Sequence, residues 1–535
     1  MRRSSLAAAA GAVSLSLAGL MGGTLMGGPL TPEPGEARVG AADPDYYTQI
    51  RPLLVQNCLA CHGNEGPGWS MVDPEETYAR HRLVAAMITE RQMPPWLAEP
   101  GHQEYMGDIS LSAADLELVR RWREAGFPKG DPAGGGLHGA EGDRADAGHE
   151  RAHQGRAHAE HAAHAEHAAH AGHAEHAAHE EEEGPGAVTG MGVAHAGHGG
   201  PFVPEISLDV LPGGRFLPNQ AARDDYRCFV VDWAEAEPRF ITGFRAVPGN
   251  LAVAHHTVLY SVAPELADRF RELEGEEEGP GYQCFGGALP DRLGIRAERE
   301  AYEARYPDGV RELSRGNFWL AHWAPGMDGH VFPAGTGILV EPGSALVVQM
   351  HYYSFDAPGQ YDEGTRVEFQ LAEEVERPAF HLSQTRPEWL VAERNRSMVI
   401  EPGSMATYEV SDTLEPLLPY IARVTNIPVE RIDALEIHSV NLHMHAFGHS
   451  GRISLTHPGG RKETLLSVPR WDIRWQRDFT FTEPKVFERR ELRGVTLATE
   501  CTFRNHTDQV VYGGYGSYDE MCFNFSYIAV RPTTQ

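Results

Sequence analysis

The chain lacks the basic surplus that nucleic-acid-binding proteins use. Its 535 residues carry 46 Lys and Arg against 75 Asp and Glu, and Arg2-Arg3 is its one basic block. Nucleic acid and anionic membrane surfaces are therefore not expected as partners. A chain of this length exceeds what one hydrophobic core serves, so we expect about two to four domains.

Long apolar runs are missing after the first residues. Residues 1–28 have the pattern of an export signal peptide, in which Arg2-Arg3 precedes an Ala- and Leu-rich stretch from Leu6 to Leu20. That stretch is broken by Gly and Ser and is short for a membrane span, although an uncleaved signal would act as an N-terminal anchor. We expect a soluble exported protein, periplasmic or secreted, without a stable membrane span, in a compartment where disulfides persist.

Cysteine is scarce, with six residues in the whole chain. None precedes Cys58, which argues against a lipid-anchored N-terminus. Cys58 and Cys61 belong to a motif described next, which leaves four. Four cysteines can pair in three ways, and their positions in the sequence do not choose among them. These four are Cys228, Cys284, Cys501 and Cys522.

Cys58-Leu-Ala-Cys61-His62 is the C-x-x-C-H signature of covalent c-type haem attachment. Two thioether bonds would fix the porphyrin, and His62 would be the proximal iron ligand. The segment from about residue 42 to 130 resembles small monohaem cytochromes c, in which a Met-Pro-Pro run follows the haem motif. That resemblance makes Met93 the expected sixth ligand, and a thioether there suits electron transfer rather than oxygen binding. The competing methionines are Met71, Met87 and Met106.

The sequence around the haem motif predicts helices. Residues 44–57 have helical periodicity that must kink or restart at Pro52. Ser112-Ala-Ala-Asp115 resembles a capping box that opens another helix. We therefore predict a small all-α cytochrome c domain over residues 42–130.

Residues 131–200 change abruptly to Gly, Ala, Glu and His, and a histidine recurs every third residue from His158 to His179. With almost no large apolar side chains this segment cannot bury a core, so we predict a disordered linker. Imidazole binds copper, zinc and nickel without much discrimination. The linker either collects copper for a nearby site or binds metal incidentally. Its length of about 70 residues permits docking within the chain or onto a neighbouring chain.

After residue 201 the pattern changes to many short strands broken by Gly and Pro. About 335 residues of this kind predict two antiparallel, jelly-roll-like β-sandwiches, at 201–370 and 371–535. Residues 265–315 form a charged, partly helical insertion between strands. The clearest predicted strands are residues 227–233, 345–353 and 523–530.

Four clusters of metal-binding residue types follow in this β-rich part. Alternating residues from Ile437 to Phe447 predict a half-buried strand on which His443 and His445 share a face. The clusters are Ala254-His255-His256-Thr257, Gln349-Met350-His351-Tyr352, His443-Met444-His445 and Asp519-Glu520-Met521-Cys522.

Together the clusters resemble the copper type II, ascorbate-dependent monooxygenases, the group of peptidylglycine α-hydroxylating monooxygenase and dopamine β-hydroxylase. The resemblance covers roughly residues 202 to 535 and keeps the family's motif order.

The resemblance implies two copper ions with different tasks. Three imidazoles accommodate both Cu(II) and Cu(I), as an electron relay requires. A thioether favours Cu(I), and three protein ligands leave a coordination position open for O2. The implied ligands are His255, His256 and His351 for the electron-transfer copper, and His443, His445 and Met521 for the oxygen-activating, catalytic copper.

His255 and His256 do not fit a regular strand. Adjacent strand residues point to opposite faces, so both reach one metal only across a twist or bulge. The alternative is that one of them is a core histidine. Other residues lack motif support and are expected to pack in the core, support a ligand or lie at the surface: Met350, His322, His330, His438 and His449.

The resemblance also implies two disulfides, Cys228–Cys284 and Cys501–Cys522. The second would tether the strand that carries Met521, which helps because thioether ligation is weak.

The peptide-processing members of this family have an Arg two residues before the H-x-H, and an Asn and a Tyr after the ligand Met. This chain has Asn441 at the position of the Arg and Phe525 at the position of the Tyr. It keeps an Asn, Asn524, one position later in the sequence than the family pattern expects. Loss of the cation and the hydroxyl removes charge-assisted capture of a carboxylate. These three residues are tentative substrate contacts, and a glycine-extended peptide is not expected unless Arg452 or Arg474 compensates.

We hypothesise an exported copper-dependent monooxygenase that hydroxylates a C–H bond of a small organic substrate with O2. The fused haem would replace ascorbate or mediate for it. Electrons would pass from the haem to the His255/His256/His351 copper and then to the His443/His445/Met521 copper. An ascorbate-like reductant or a periplasmic redox protein would reload the haem. The alternative is a periplasmic copper-binding, electron-transfer or copper-handling protein without turnover.

Overall fold

The computed structural model describes residues 43–63, 69–132, 202–211, 214–222, 224–284, 287–323, 329–355, 357–390, 397–515 and 518–533. The predicted signal peptide, at 1–28, and nearly all of the predicted linker lie outside the described residues. Those described from Pro44 onward belong to one compact unit. Among the described residues, no helix is long and apolar enough to cross a membrane.

Helices build the part of the chain from 43 to 132. A π-helical turn, Tyr46–Ile50, runs directly into the first α-helix, so the helix restarts just before Pro52. Pro52 lies in the first helical turn, where its missing N–H breaks no hydrogen bond. The predicted capping box is present, because Ser112 and Asp115 cap each other reciprocally. The helices are α1 (Arg51–His62), α2 (Pro74–Ala79), α3 (His81–Thr89) and α4 (Ala113–Glu124).

The described residues of the β-rich part include five further α-helices. Three of them lie in the insertion predicted at 265–315. They are α5 (Pro264–Gly275), α6 (Arg296–Arg305), α7 (Gly309–Arg315), α8 (Pro387–Leu390) and α9 (Leu418–Thr425).

Strands account for most of the remaining structure, and the three clearest predicted strands appear as β3, β10 and β22. The strands are β1 (Ile206–Asp209), β2 (Arg215–Phe216), β3 (Asp224–Asp232), β4 (Arg239–Val247), β5 (Ala254–Val262), β6 (Tyr282–Gln283), β7 (Asn317–Trp323), β8 (His330–Val331), β9 (Thr336–Val340), β10 (Ala345–Tyr353), β11 (Asp362–Glu363), β12 (Arg366–Ala372), β13 (Arg377–Gln384), β14 (Val399–Ile400), β15 (Met405–Thr413), β16 (Ile432–His443), β17 (Gly448–Thr456), β18 (Lys462–Val468), β19 (Phe479–Glu488), β20 (Thr496–Arg504), β21 (Val511–Tyr512) and β22 (Phe523–Pro532).

One long sheet runs through the whole β-rich part in the order β1-β12-β4-β9-β13-β22-β16-β19, with β8 beside β4. A five-stranded sheet, β6-β3-β10-β5-β7, shares a core with its first half. A four-stranded sheet, β15-β20-β17-β18, shares a second core with its other half. The protein is thus largely β-sheet, with several antiparallel sheets and additional helices.

The two halves of the β-rich part are joined more closely than two separate sandwiches would be. Strand β13 pairs with β22 along its length and in parallel with β9 at Arg377 and Pro378. Tyr527 and Ala529 of β22 belong to the core of the first half. The long sheet is therefore continuous across the boundary predicted between residues 370 and 371.

Strand β16 differs from the half-buried strand predicted around the H-x-H motif. It is buried on both faces from Ala434 to Leu442, and β22 and β19 pair with its two edges. It ends at His443, so His445 lies in the turn that leads to β17 rather than on the strand.

Both disulfides implied by the resemblance are present. Cys228 of β3 is bonded to Cys284, and Cys501 of β20 is bonded to Cys522, the residue that follows Met521.

Candidate copper and haem sites

His255, His256 and His351 form what we call the first cluster. One nitrogen from each ring lies within 4.8 Å of the others. The Nδ1 atoms of His255 and His351 are 3.1 Å apart, a separation that suits two nitrogens each about 2.0–2.1 Å from one first-row metal ion. These three side chains can therefore hold one copper ion.

A β-bulge explains how two adjacent histidines reach the same place. In the pairing of β10 with β5, His351 lies opposite His256, but the next residue, Tyr352, lies opposite Ala254. His255 is thus the extra residue in β5. The bulge re-aims its side chain, which is the irregularity that the sequence required for both imidazoles to serve one metal.

Two residues of β3 hold the ring of His351 in place. The Nε2 atom of His351 lies 2.9 Å from Asp224 Oδ1, which leaves Nδ1 facing the other two rings. Tyr226 stacks on the same ring, with centroids 4.0 Å apart. Because a carboxylate at the far nitrogen fixes the tautomer and raises the basicity of a metal-binding imidazole, Asp224 suits a copper site.

Burial keeps the first cluster neutral. It lowers the pKa of His351 to about 4, against the opposing pull of Asp224. Burial likewise lowers the pKa of His255 and that of His256. A neutral imidazole retains the lone pair that a metal needs.

His443, His445 and Met521 form the second cluster. The Nε2 atom of His443 lies 3.1 Å from the sulfur of Met521, and the rings of His443 and His445 are 5.2 Å apart. The Nδ1 atom of His445 lies 3.1 Å from the carbonyl oxygen of Asp519. That contact occupies one nitrogen of the His445 ring and fixes the orientation of the imidazole.

The ends of the elements that carry the second cluster are tied together by Glu520. Its buried carboxylate accepts backbone N–H bonds from His445 at 2.9 Å, from Phe447, and from Met521 at 3.3 Å. Burial raises its pKa to about 8 although these hydrogen bonds oppose the shift. Glu520 thereby positions the turn after β16 against the residue that carries the thioether.

Gln476 supports His443 from the opposite side. Its side-chain oxygen bonds to Nδ1 of His443, while its amide nitrogen donates to the carbonyl of Ile473 at 3.0 Å. Burial, with the nearby His445, lowers the pKa of His443 to about 3. The ring is therefore neutral and presents Nε2 to Met521.

The two clusters lie within electrostatic reach of each other. Burial is the main cause of the low pKa of His256, but His443 and His445 lower it further. Tyr226, which stacks on the first cluster, donates its hydroxyl to the carbonyl of Tyr515 at 3.0 Å. Tyr226 therefore links the first cluster to the chain segment that leads to Met521.

The haem motif, residues 58–62, occupies the last turn of α1. Cys58 and Cys61 are half-buried free thiols, and burial raises the pKa of Cys58 to about 11. The Nδ1 atom of His62 lies 2.8 Å from the carbonyl of Trp69, which leaves Nε2 available to an iron atom. Two free thiols and an oriented imidazole on one helical turn fit covalent haem attachment.

The four methionines considered as the sixth ligand lie in different surroundings. Met71 is 7% exposed and belongs to the helical core, as a packing residue would. Met87, Met93 and Met106 are half-buried. Met93 follows α3 and donates its N–H to the carbonyl of Met87 at 3.0 Å.

The tentative substrate residues are divided between the two faces of β22. Phe525 lies opposite Asn441 and its ring is 6.0 Å from that of His443, so both are on the face of the second cluster. Asn524 lies opposite Leu442 and is fully buried on the other face. Arg452 is exposed on β17, and the side chain of Arg474 lies outside the described part of the structure.

Asn441 already has partners of its own. Its amide donates to Asp478 Oδ1 at 2.9 Å and lies 3.4 Å from Nε2 of His322. The positive field of His322 holds the pKa of Asp478 well below its usual range despite burial. The position that carries an Arg in the peptide-processing enzymes is thus occupied here by an amide bound to a buried carboxylate.

Several supporting residues were not identified from the sequence. Glu520 belongs to the motif that contains Met521, and its position next to that ligand could have indicated a supporting role. The other four are brought to the clusters by strand pairing or by a loop, and no spacing rule connects them to the ligands. They are Asp224, Tyr226, Gln476 and Asp478.

The antiparallel sheets carry one all-imidazole set and one set of two imidazoles and a thioether, and both are ligand sets that suit copper. The family model described as copper type II ascorbate-dependent monooxygenase, C-terminal domain, matches residues 422–534. The matched segment is therefore similar to the C-terminal domain of copper-dependent monooxygenases, a class of oxidoreductases that use O2. The match includes all three residues of the second cluster.

Some solved structures are similar to the chain at low identity. The major capsid protein P2 of bacteriophage PM2 is 7% identical, over 62% of this chain and 98% of that one, with a TM-score of 0.20. PNGF-II is 8% identical, over 62% and 65% of the two chains, with a TM-score of 0.24. These scores are too low to carry an argument. No curated protein matches the chain.

Proposed function

We propose that the protein is an exported copper-dependent monooxygenase that hydroxylates a C–H bond of a small organic substrate with O2. The observation that carries this proposal is the assembly of six separately predicted ligands into two compact clusters. In the proposed assignment the first cluster holds an electron-transfer copper and the second an oxygen-activating copper. Residues 201–370 and 371–535 would be the two sandwich domains.

Copper, when bound, supplies one-electron chemistry and a coordination position for O2. The chain's own residues fix the geometry. Asp224 and Tyr226 orient His351 in the first cluster, whereas Gln476 and Glu520 position the second. Burial lowers the pKa of the imidazoles of His256, His351 and His443 and so keeps them neutral.

We also assign a small cytochrome c domain to residues 42–130. Cys58 and Cys61 would form thioether bonds to the haem, with His62 and Met93 as its axial ligands. A haem so held stores one electron at a time, which suits a partner that must reload copper. An ascorbate-like reductant or a periplasmic redox protein would supply these electrons.

The substrate we propose is small and carries no carboxylate that the site must capture. Asn441 cannot provide the charge of the Arg found in the peptide-processing enzymes, and its amide is bound to Asp478. Phe525 stacks on Trp319 at 4.3 Å, which gives the face of the second cluster an aromatic wall. An apolar C–H group fits that wall better than a charged peptide terminus does.

Metal analysis with copper EPR spectroscopy tests the proposal. We expect two type 2 coppers and one low-spin haem per chain, and loss of one copper signal each in His351→Ala and Met521→Leu. Zinc, or a single copper in the wild-type chain, would refute the assignment.

Oxygen consumption by the copper-loaded, reduced protein separates catalysis from storage. We expect slow O2 consumption without substrate, abolished in Met521→Leu. Copper binding without any O2 consumption would favour the alternative function, a periplasmic copper-handling protein.

A further inference from the structure

The segment that follows Met93 is built into the C-terminal β-rich part. We call residues 96–106 the strap. Its backbone bonds to the C-terminal sheets at three points: Glu99 N to Ser467 O at 2.7 Å, Met106 N to Thr480 O at 2.8 Å, and Thr482 N to Glu104 O at 3.0 Å. The haem-motif region therefore has a fixed seat on this part of the protein.

Aromatic packing secures the strap. Tyr105 is 6% exposed and belongs to the same core as β16 and β22. Its ring lies 5.4 Å from Phe479 and 5.8 Å from Phe481, and Trp96 lies 5.2 Å from Phe479. The burial of Tyr105 in that core makes the contact a permanent one rather than an occasional encounter.

A second segment connects this seat to the second cluster. We call residues 470–478 the bridging segment. At one end Arg470 donates to the carbonyl of Arg91 at 2.7 Å. At the other, the guanidinium of Arg477 lies 4.9 Å from the ring of Trp96. The residue before Arg477 is Gln476, which bonds to His443.

The segment around Met93, the proposed haem ligand, contacts both ends of the bridging segment. Arg91, two residues before Met93, accepts a hydrogen bond from Arg470. Trp96, three residues after it, lies against Arg477. From this segment the chain of contacts runs through Trp96, Arg477 and Gln476 to His443.

We propose that the bridging segment is the electron-input path of the protein, so that electrons from the haem motif reach the second cluster without first passing through the first cluster. This proposal rests on the function proposed above and reverses the order predicted from the sequence. Trp96, Arg477 and Gln476 are positioning residues, since they connect the segment around Met93 to His443. The first cluster then stores the second electron that hydroxylation needs.

Each transfer moves one electron and balances as follows. A ferrous haem becomes ferric, and one cupric ion in the second cluster becomes cuprous. An external one-electron donor, ascorbate or a redox protein, returns the haem to the ferrous state. No proton or oxygen is required, so the transfer is measurable without substrate and without O2.

Rapid mixing under anaerobic conditions tests the path. Holoprotein with cupric sites receives one electron from a fast reductant, haem absorbance is followed, and freeze-quenched samples are examined by copper EPR. We expect His351→Ala, which disables the first cluster, to keep the wild-type rate of haem oxidation and to lose the second-cluster EPR signal. Haem that stays reduced in this variant, with the second copper still bound, would overturn the proposal.

Variants of the path give the complementary result. We expect Arg477→Gln and Trp96→Leu to lose the fast phase of haem oxidation, and Arg477→Lys to restore part of it. Arg490→Gln, at an exposed arginine, is the control and should keep the fast phase. The haem spectrum, the copper EPR spectrum and the unfolding temperature identify any variant that fails to fold. If the path variants fail to fold, the His351→Ala result alone decides whether the proposed path is correct. Failure of hydroxylation with intact electron transfer would count against the proposed function and not against the path.

Discussion

The imidazole of His443 is held by a neutral amide, and that amide belongs to a loop rather than to a strand. Gln476 accepts the Nδ1–H of His443, so Nε2 is left facing Met521. A partner of this kind fixes the tautomer and orientation of a metal-binding histidine. The quality of the second cluster therefore depends on a residue that touches neither the metal nor the substrate.

We expect Gln476→Leu to weaken copper binding at the second cluster about 10- to 100-fold, because the His443 ring loses its orienting acceptor. Competition titration with a copper chelator, followed by EPR, measures the change. Gln49→Leu, at an exposed position in the helical region, is the control and should bind both coppers as the wild type does. Equal second-cluster affinities in the two variants would contradict the assigned role.

Glu520 offers a test of how the turn and the thioether are held together. In Glu520→Gln one acceptor oxygen is replaced by an amide donor that faces backbone N–H groups. We expect the free energy of unfolding to fall by about 1–3 kcal/mol, the cost of leaving buried donors unsatisfied. Urea unfolding above the pKa of Glu520, where both side-chain oxygens are acceptors, measures this loss. Glu409→Gln, at an exposed position on β15, should change stability little. An equally small effect of Glu520→Gln would show that Glu520 does not hold the turn after β16 against Met521.

The ligands themselves could be predicted because each stands in a short motif. His255, His256 and His443 were proposed as ligands because their motifs, in this order, resemble those of the copper monooxygenases. Their supports were not predictable, since Asp224 reaches His351 through the pairing of β3 with β10. Gln476 likewise reaches His443 from a loop 33 residues away.

At the scale of elements, the strands were easier to predict than their irregularities. The run 345–353 is wholly β-forming, and β10 has those bounds. The bulge at His255 was inferred as a requirement of two adjacent ligands, and the structure supplies it. The end of β16 at His443 was missed, because the alternating pattern continues past the point where tertiary packing turns the chain.

The seat of the strap on β18 and β19 depends on a charged cluster that should respond to acid. Glu463 lies 2.7 Å from His457 Nε2 and 3.1 Å from both Lys485 Nζ and Gln103 Nε2. Burial would raise its pKa, but these partners outweigh burial and lower the pKa from 4.5 to about 2. The folded carboxylate therefore holds its proton more weakly than the unfolded one does.

We expect this carboxylate to stabilise the fold fully above about pH 4.5 and to lose that contribution as the pH falls toward 2. Glu463→Gln should be less stable near neutral pH, and its unfolding temperature should fall less steeply with acid than that of the wild type. Thermal scans across this range measure the slope. Glu409→Gln, at an exposed position, is again the control. If the unfolding temperatures of the wild type and Glu463→Gln fall equally steeply with acid, the Glu463 carboxylate does not have the stabilising role assigned to it.

At the scale of the whole molecule, two cores share one long sheet. The sequence predicted two sandwiches from the number and kind of strands, and one core lies against each half of the long sheet. It could not predict their union, which depends on β13 pairing with β9 over two residues, Arg377 and Pro378. So short a parallel contact leaves no periodic pattern. The packing of the strap against the C-terminal sheets could not be predicted either. It depends strongly on one buried side chain, Tyr105, and one side chain leaves no periodic pattern in the sequence.

This union has a consequence for unfolding. Arg377 bonds to Glu436 at 3.2 Å and to the carbonyl of Ala334 at 2.8 Å, while the hydroxyls of Thr336 and Tyr527 are 2.8 Å apart. These contacts tie the two halves of the β-rich part at their shared sheet. Loss of either half would expose the core of the other.

We therefore expect the two β-rich halves to unfold in one transition, with equal calorimetric and van't Hoff enthalpies. Copper that binds the folded state should raise that whole transition, by about 2.7 kcal/mol per site at a free concentration 100 times its Kd. His351→Ala and Met521→Leu each remove one site, so each should lower the copper-induced shift of the same transition. Scanning calorimetry of the holoprotein, with haem absorbance reporting separately on the helical region, measures both effects. Two β transitions, each moved by only one of these variants, would show that the halves are independent domains.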